Sequence, residues 1–461
     1  MESLNNLKLI LENNKYLNFL KKFDFVDIIS SFGLLTFLIF NYKNFLLYNR
    51  IYNLFGILII LFIAYLFSSN RSKINTRLIR VGLFLHLLIA SFILKTNLGK
   101  EIVESAANGI KNLYLASDAG IEFLFGKLGV IQAPWGFIFA FKVLPIIIFF
   151  GAFMSLLFYF GIIQKFIAAI NFFVRPILGT SATETLCAIS NSFLGQTEAP
   201  LLIRQYLPHM TKSEYMVIMV SGMGTISGSI LAVFASTGVP AVHLLASSVM
   251  AIPATILIAK ILYPETEKTE SNETVKISYK SNSVNFLDAI SVGTTDGLYL
   301  ALNVGAMLIA FLSLIAVVNS VLGFCCWKLN FLLDLCHLNF HISSLTLQDI
   351  FGFIFTPFAW ILGFIGHEAY QVAQLLGTKL SINELVAYTN MIAMNLPERT
   401  VAIMTYALCG FANFSCIGIQ IGGIGALVPE KRHWLSELGF RALLGATLSN
   451  LLSALVAAIL L

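Results

Sequence analysis

Asn-Ser-Phe-Leu-Gly-Gln-Thr-Glu-Ala-Pro, residues 191–200, is the stretch on which the rest of the chain turns. It sets Gln196, Thr197 and Glu198 side by side in a sequence that is 57% hydrophobic. A carboxylate at membrane depth is costly enough to mark a functional site. Gly195 and Pro200 both interrupt helices, and the apolar runs beside them, 186–189 and 201–203, are too short to cross a bilayer. The stretch therefore reads as the tip of a re-entrant hairpin. Irregular backbone at that depth is kept only where it is buried in protein or lines a cavity, which is where transporters bind their substrates.

The composition around this stretch agrees. The mean hydropathy is +0.83, and charged residues make up 11% of the chain, against roughly 25% in soluble domains. This is a polytopic membrane protein. The net charge of +5 gathers near the ends of apolar runs, where it reports orientation and not a nucleic-acid partner. Six cysteines, Cys187, Cys325, Cys326, Cys336, Cys409 and Cys416, fall mostly in apolar stretches without zinc spacing and read as small packing residues. No small-residue cleavage site follows the polar first 25 residues, so a cleaved signal peptide is not expected.

Working outward, residues 1–98 read as a cytoplasmic tail followed by spans at 26–42, 51–68 and 79–96. Arg71, Lys73, Arg77 and Arg80 mark the loop before the third span as cytoplasmic. Residues 99–135 contain an interfacial amphipathic helix, too polar to span and too apolar for a plain loop. Residues 136–263 form a first repeat: a long span interrupted at Lys142 and Pro145, a surface segment, the hairpin, a Gly-broken span at 215–238 and a closing span. Residues 264–285 are a polar loop, and 286–461 repeat the same order, with a span at 288–322, a less apolar connection at 325–345, interrupted pieces at 346–395, a broken span at 399–427 and a closing span at 438–461. The expected fold is an all-α, inverted-repeat secondary transporter with two re-entrant hairpins and broken transmembrane helices, its site at the repeat interface.

Each half supplies one polar motif and one broken span. They are Gln196-Thr197-Glu198 with 221–228, and Asn383-Glu384 with 409–416. Carboxylates, amides, hydroxyls and an aromatic ring suit a ligand rich in hydroxyls and ring amides. Blander readings stand beside this one: glycine-rich spans also serve close helix packing, Asn413 also suits a helix cap, Glu198 also suits an inter-helix salt bridge, and Glu384 also suits the membrane interface. His367-Glu368 lacks the second histidine of a zinc-protease motif, so no metal centre or cofactor is expected there. An intramembrane enzyme using Glu198 and Glu384 as acid and base is an alternative, as are a carrier of another polar solute and a receptor-like protein.

Four ordered motifs sharpen the choice: Gly-Gln-Thr-Glu-Ala-Pro at 195–200, Ala-Leu-Asn-Val-Gly-Ala-Met-Leu-Ile-Ala-Phe at 301–311, Asn-Glu-Leu-Val-Ala-Tyr at 383–388 and Ala-Leu-Cys-Gly-Phe-Ala-Asn at 407–413. From about residue 51 onward the chain resembles the concentrative nucleoside transporter family. The resemblance implies a homotrimer in the inner membrane that imports nucleosides with a cation by alternating access. By motif position Gln196, Thr197 and Glu198 face the nucleobase, Phe411 packs near it, and Glu384, Asn413 and Cys416 hold the ribose. Asn191, Thr225 and the backbone carbonyls of Leu194 and Ile226 match the family's sodium site, an all-oxygen set suited to a hard cation. Cys416 departs from the family's serine, which weakens the expected ribose contact, because a thiol is a poor donor and acceptor. Leu385 stands where phenylalanine is common.

Overall fold

The computed structural model describes residues 25–47, 50–129, 138–267, 283–335 and 345–461. The amino-terminal tail and most of the inter-repeat loop lie outside them. Among the described residues the regular structure is entirely helical. Three helices come first, α1 (Phe25–Leu47), α2 (Ile51–Leu66) and α3 (Thr76–Lys95), followed by the amphipathic α4 (Asn97–Phe125). The first repeat then runs α5 (Phe139–Tyr159), α6 (Ile162–Leu178), the pair α7 (Ala182–Asn191) and α8 (Ala199–Leu202), the broken pair α9 (Lys212–Gly224) and α10 (Gly228–Ser236), and α11 (Ala241–Leu262). The second runs α12 (Phe286–Leu335), α13 (Leu347–Ile361), the pair α14 (Gly366–Ser381) and α15 (Glu384–Ala393), the broken pair α16 (Glu398–Leu408) and α17 (Phe414–Leu427), and α18 (Arg432–Leu460).

Hydrogen bonds and ion pairs fix which helix ends share a side. At one end the Ser69 amide donates to Leu262 O at 2.9 Å, Lys212 pairs with Glu437 at 2.5 Å, and Lys260 pairs with Glu184 at 2.7 Å. At the other end Arg50 donates to Ile459 O at 2.8 Å, Asn53 to Ile361 O at 3.1 Å and Arg399 to Ala458 O at 2.9 Å. Hairpin α7–α8 enters from and returns to the first end; hairpin α14–α15 does the same from the second. The two repeats are therefore inverted.

Local sequence explains where these pieces begin. Ser181 with Glu184, and Thr211 with Glu214, form reciprocal capping boxes that open α7 and α9. Asn383 and Asn413 cap α15 and α17 through their side-chain oxygens. Packing between spans relies on small residues, since lipid gives apolar side chains no reason to hide from it. On α12, Gly293 lies so close to α5 that an added Cβ would stand 2.6 Å from Gly151 O. The closing helix α18 is the most deeply buried of the long apolar helices among the described residues.

Two expectations need correction. The first long span is not interrupted within the described residues: α5 runs unbroken from Phe139 to Tyr159 through Lys142 and Pro145, and the Lys142 ammonium is neutralised by Asp118 of α4 at 2.6 Å. The connection expected at 325–345 is in its first part helix, since α12 continues to Leu335; Lys328 there lies over the Trp327 ring, 5.0 Å from its centroid. Residues 336–344 are outside the described residues.

Candidate functional site

The tip of the first hairpin unwinds after Asn191, and α8 begins with Pro200 in its first turn, where a missing amide proton costs nothing. The Glu198 carboxylate curls back to accept the Gly195 amide at 3.2 Å. Phe193 O accepts the Gly228 amide at 2.9 Å, which ties this tip to the break between α9 and α10. Gln196 is buried, and each end of its amide makes one hydrogen bond. Its Nε2 donates to Cys416 Sγ at 3.4 Å, and its Oε1 accepts from Gln420 Nε2 at 3.1 Å.

The second hairpin and break meet the first across a shared space. Glu384, the first residue of α15, accepts from Asn413 Nδ2 at 3.1 Å, while Asn413 Oδ1 accepts the Cys416 amide at 3.1 Å. Asn413 is thus both a helix cap and a partner of Glu384, so the two readings of that residue are compatible. Glu384 is 6% exposed, buried within the protein.

These elements enclose a cavity of about 1010 Å³. All seven expected substrate residues, Gln196, Thr197, Glu198, Glu384, Phe411, Asn413 and Cys416, line it, together with Leu194. Residues of α12 form another wall, among them Asp288 near the first end of the bundle and Asp296 deeper in. On the opposite side Phe234 and Tyr388 are buried against each other with ring centroids 4.7 Å apart.

Asn191 and Thr225 lie together behind the first tip. The Asn191 amide donates to Ser221 Oγ at 2.9 Å, and Thr225 Oγ1 stands 2.9 Å from Asn191 O and 2.8 Å from Ser221 O. The Asn191 Oδ1 atom is buried with no hydrogen-bond partner among the described residues. Leaving such an acceptor unpaired costs free energy. Ile226 follows Thr225 in the same break. No group of three or more His, Cys, Asp or Glu suited to a metal occurs among the described residues, and Glu368 is engaged by the Thr400 hydroxyl.

Three residues escaped the reading of the sequence. Gln420, Asn450 and Lys379 are polar side chains, each buried to 3% exposure or less. Their signal was the cost of a polar group at membrane depth, but nothing in the spacing told which faced the site.

Three family models match the chain: "Na+ dependent nucleoside transporter N-terminus" over residues 55–128, "Nucleoside recognition" over 140–241 and "Na+ dependent nucleoside transporter C-terminus" over 243–458. The nucleoside permease NupC of Helicobacter pylori is 37% identical over 423 residues, covering 89% of this chain and 98% of that protein. The chain belongs to the concentrative nucleoside transporter family. An uncharacterized transporter of Haemophilus influenzae is 42% identical, with 88% and 96% of the two chains covered. Sodium/nucleoside cotransporter 1 of Rattus norvegicus is 37% identical over 88% of this chain and 63% of its own length. Among solved structures, CNTnw in an inward-facing, substrate-bound state has 36% identity and a TM-score of 0.81, covering 89% of this chain and 98% of that one. A doubly substituted CNTnw in an outward-facing state also scores 0.81, and a variant in an intermediate state 0.83. As a member of this family the chain is a multi-pass plasma-membrane transporter and not an enzyme.

Proposed function

We propose that this transporter imports nucleosides together with sodium by alternating access, and that Gln196, Thr197 and Glu198 read the base while Glu384, Asn413 and Cys416 hold the ribose beside Phe411. The observation that carries the reading is the convergence of all seven residues, from two inverted halves, on one cavity. The amide and carboxylate of the first hairpin offer both donors and acceptors to a base edge, and Glu384 of the second hairpin with Asn413 of the second break accept from and donate to sugar hydroxyls. Arg71, Lys73, Arg77 and Arg80 assign the first end of the bundle to the cytoplasm. The cavity reaches toward that end at Asp288, and the Phe234–Tyr388 contact lies toward the other, so the conformation is inward-open.

Sodium is favoured over the proton by the unpaired Asn191 oxygen, by Thr225 beside it and by the oxygen-only ligand set that Leu194 and Ile226 carbonyls would complete. An ion there orders the first hairpin tip and so raises nucleoside affinity; reciprocity requires the nucleoside to raise ion affinity by the same factor. The test is uridine binding to purified protein across a sodium series at fixed pH. Affinity should rise with sodium, and Asn191→Ala should flatten the dependence; affinity indifferent to sodium in the wild type contradicts sodium coupling. We further propose a homotrimer, because α12 exposes a long apolar face, including Val317, Val321, Phe324 and Trp327, along a single helix.

A further inference from the structure

We propose that the Lys379 ammonium is a tethered cation that neutralises the junction of the two broken helices, standing where a mobile ion would otherwise be required. Helices α9 and α16 approach from opposite ends and stop head to head in the middle of the molecule. The Phe411 amide donates to Thr225 O at 3.3 Å across the junction, and a Cβ added to Gly410 would lie 2.9 Å from Gly224 O. Both helices present their carboxyl ends. Each such end carries roughly half a negative charge on its unpaired carbonyls, so two facing ends amount to about one negative charge and repel.

Two side chains collect those carbonyls. Asn450, on the central helix α18, donates to Gly224 O at 2.7 Å and to Cys409 O at 2.9 Å. Its Oδ1 accepts from Lys379 Nζ at 2.7 Å, and the same ammonium donates to Ala407 O at 2.9 Å. Lys379 is 3% exposed, and both oxygens that receive its hydrogen bonds are neutral. The other buried lysines differ: Lys260 sits on Glu184 at 2.7 Å and Lys142 on Asp118 at 2.6 Å. A buried ammonium needs compensating negative charge. At Lys379 the two helix ends supply it through direct hydrogen bonds, and the buried Glu384 carboxylate adds charge through space without touching the ammonium.

The inverted repeat gives this placement a meaning. In the first half, the end of the first hairpin helix and the following break bring Asn191 to Thr225, the proposed sodium ligands. In the second half, the end of α14 and the break after α16 bring Lys379 to Ala407 and, through Asn450, to Cys409. The second half thus carries its cation covalently, and each transport cycle requires one fewer mobile ion than the symmetry of the fold would accommodate. This last step rests on the sodium reading of the first half; the neutralisation of the junction does not.

The test uses the purified full-length protein with Lys379→Gln, which keeps donors but loses the charge, Lys379→Ala, which also opens space, and Lys379→Arg, which keeps the charge. Uridine affinity and the thermal unfolding midpoint are read over a sodium series, with N-methylglucamine holding ionic strength. Lys379→Arg should track the wild type. The neutral variants should lose about tenfold or more in uridine affinity at low sodium, recover at high sodium with a steeper dependence than the wild type, and gain a sodium-dependent rise in unfolding midpoint. A folded Lys379→Gln with wild-type affinity and sodium dependence overturns the proposal. So does a loss that high sodium does not reverse, or Lys379→Arg behaving like the neutral variants. Should Lys379→Ala fail to fold, Lys379→Gln decides. If the wild type binds no nucleoside, the substrate reading fails on its own, and sodium-dependent stabilisation confined to the neutral variants still judges the role of Lys379.

Discussion

Gln420 stands directly behind Gln196, fully buried, with its Nε2 shared between Gln196 Oε1 and Met219 O at 3.1 Å each. That contact fixes which way the Gln196 amide faces, leaving one lone pair and one proton for a ligand. Gln420→Leu would free the amide to turn and leave Gln196 Oε1 without its protein donor. At about 1 to 1.5 kcal/mol for a lost hydrogen bond, the KM for uridine should rise roughly five- to tenfold in proteoliposome uptake, with folded protein recovered at the wild-type level. Cys416 offers a second residue-scale test. Its thiol already receives Gln196, and a hydroxyl would bind more strongly. Cys416→Ser should raise affinity for ribonucleosides more than for analogues lacking the contacted sugar hydroxyl, as competition binding would report. Equal gains would remove Cys416 from the ribose contact. The seven cavity residues were legible because two hairpin tips and two breaks carry unusual local chemistry. Gln420 was not, since an amide one helix behind the site looks in sequence like any other amide in an apolar run.

At the scale of elements, the decisive feature is the pair of helix breaks crossing at the centre. The crossing is possible because no side chain intrudes: a Cβ on Gly410 would meet Asn450 Oδ1 at 2.5 Å and the Gly224 carbonyl at 2.9 Å. Gly410→Ala should therefore act as overpacking, lowering stability by about 1 to 3 kcal/mol and reducing uptake. Gly418→Ala, on the same side of the break but with nothing within 4 Å of the added Cβ, should change neither, and unfolding midpoints of the two variants make the comparison. The breaks were readable from glycine and polar clusters, as was the order of elements in each half. Two details were hidden. Lys142 looked like an interruption of α5 until Asp118 was seen beside it, because a tertiary partner cannot be read from the span that carries the charge. The continuation of α12 to Leu335 was missed for a related reason: Lys328 and Asn330 lower the hydropathy without ending the helix.

Across the whole molecule, two inverted halves serve one function. Each half contributes a hairpin entering from its own end and a broken helix stopping midway, so one cavity is bounded by elements that belong to opposite sides of the membrane. Exchanging which side is open then requires the hairpins and broken helices to move against the spans they pack on, as α10 does on α5. The most direct test is uptake of radiolabelled uridine and adenosine into proteoliposomes under an imposed sodium gradient and, separately, an imposed proton gradient. Accumulation driven by the inward sodium gradient is expected, and none beyond equilibration from the proton gradient alone. Accumulation driven by protons without sodium would contradict the assignment of the Asn191–Thr225 site, and no uptake under either gradient, in vesicles holding folded protein, would contradict nucleoside transport itself.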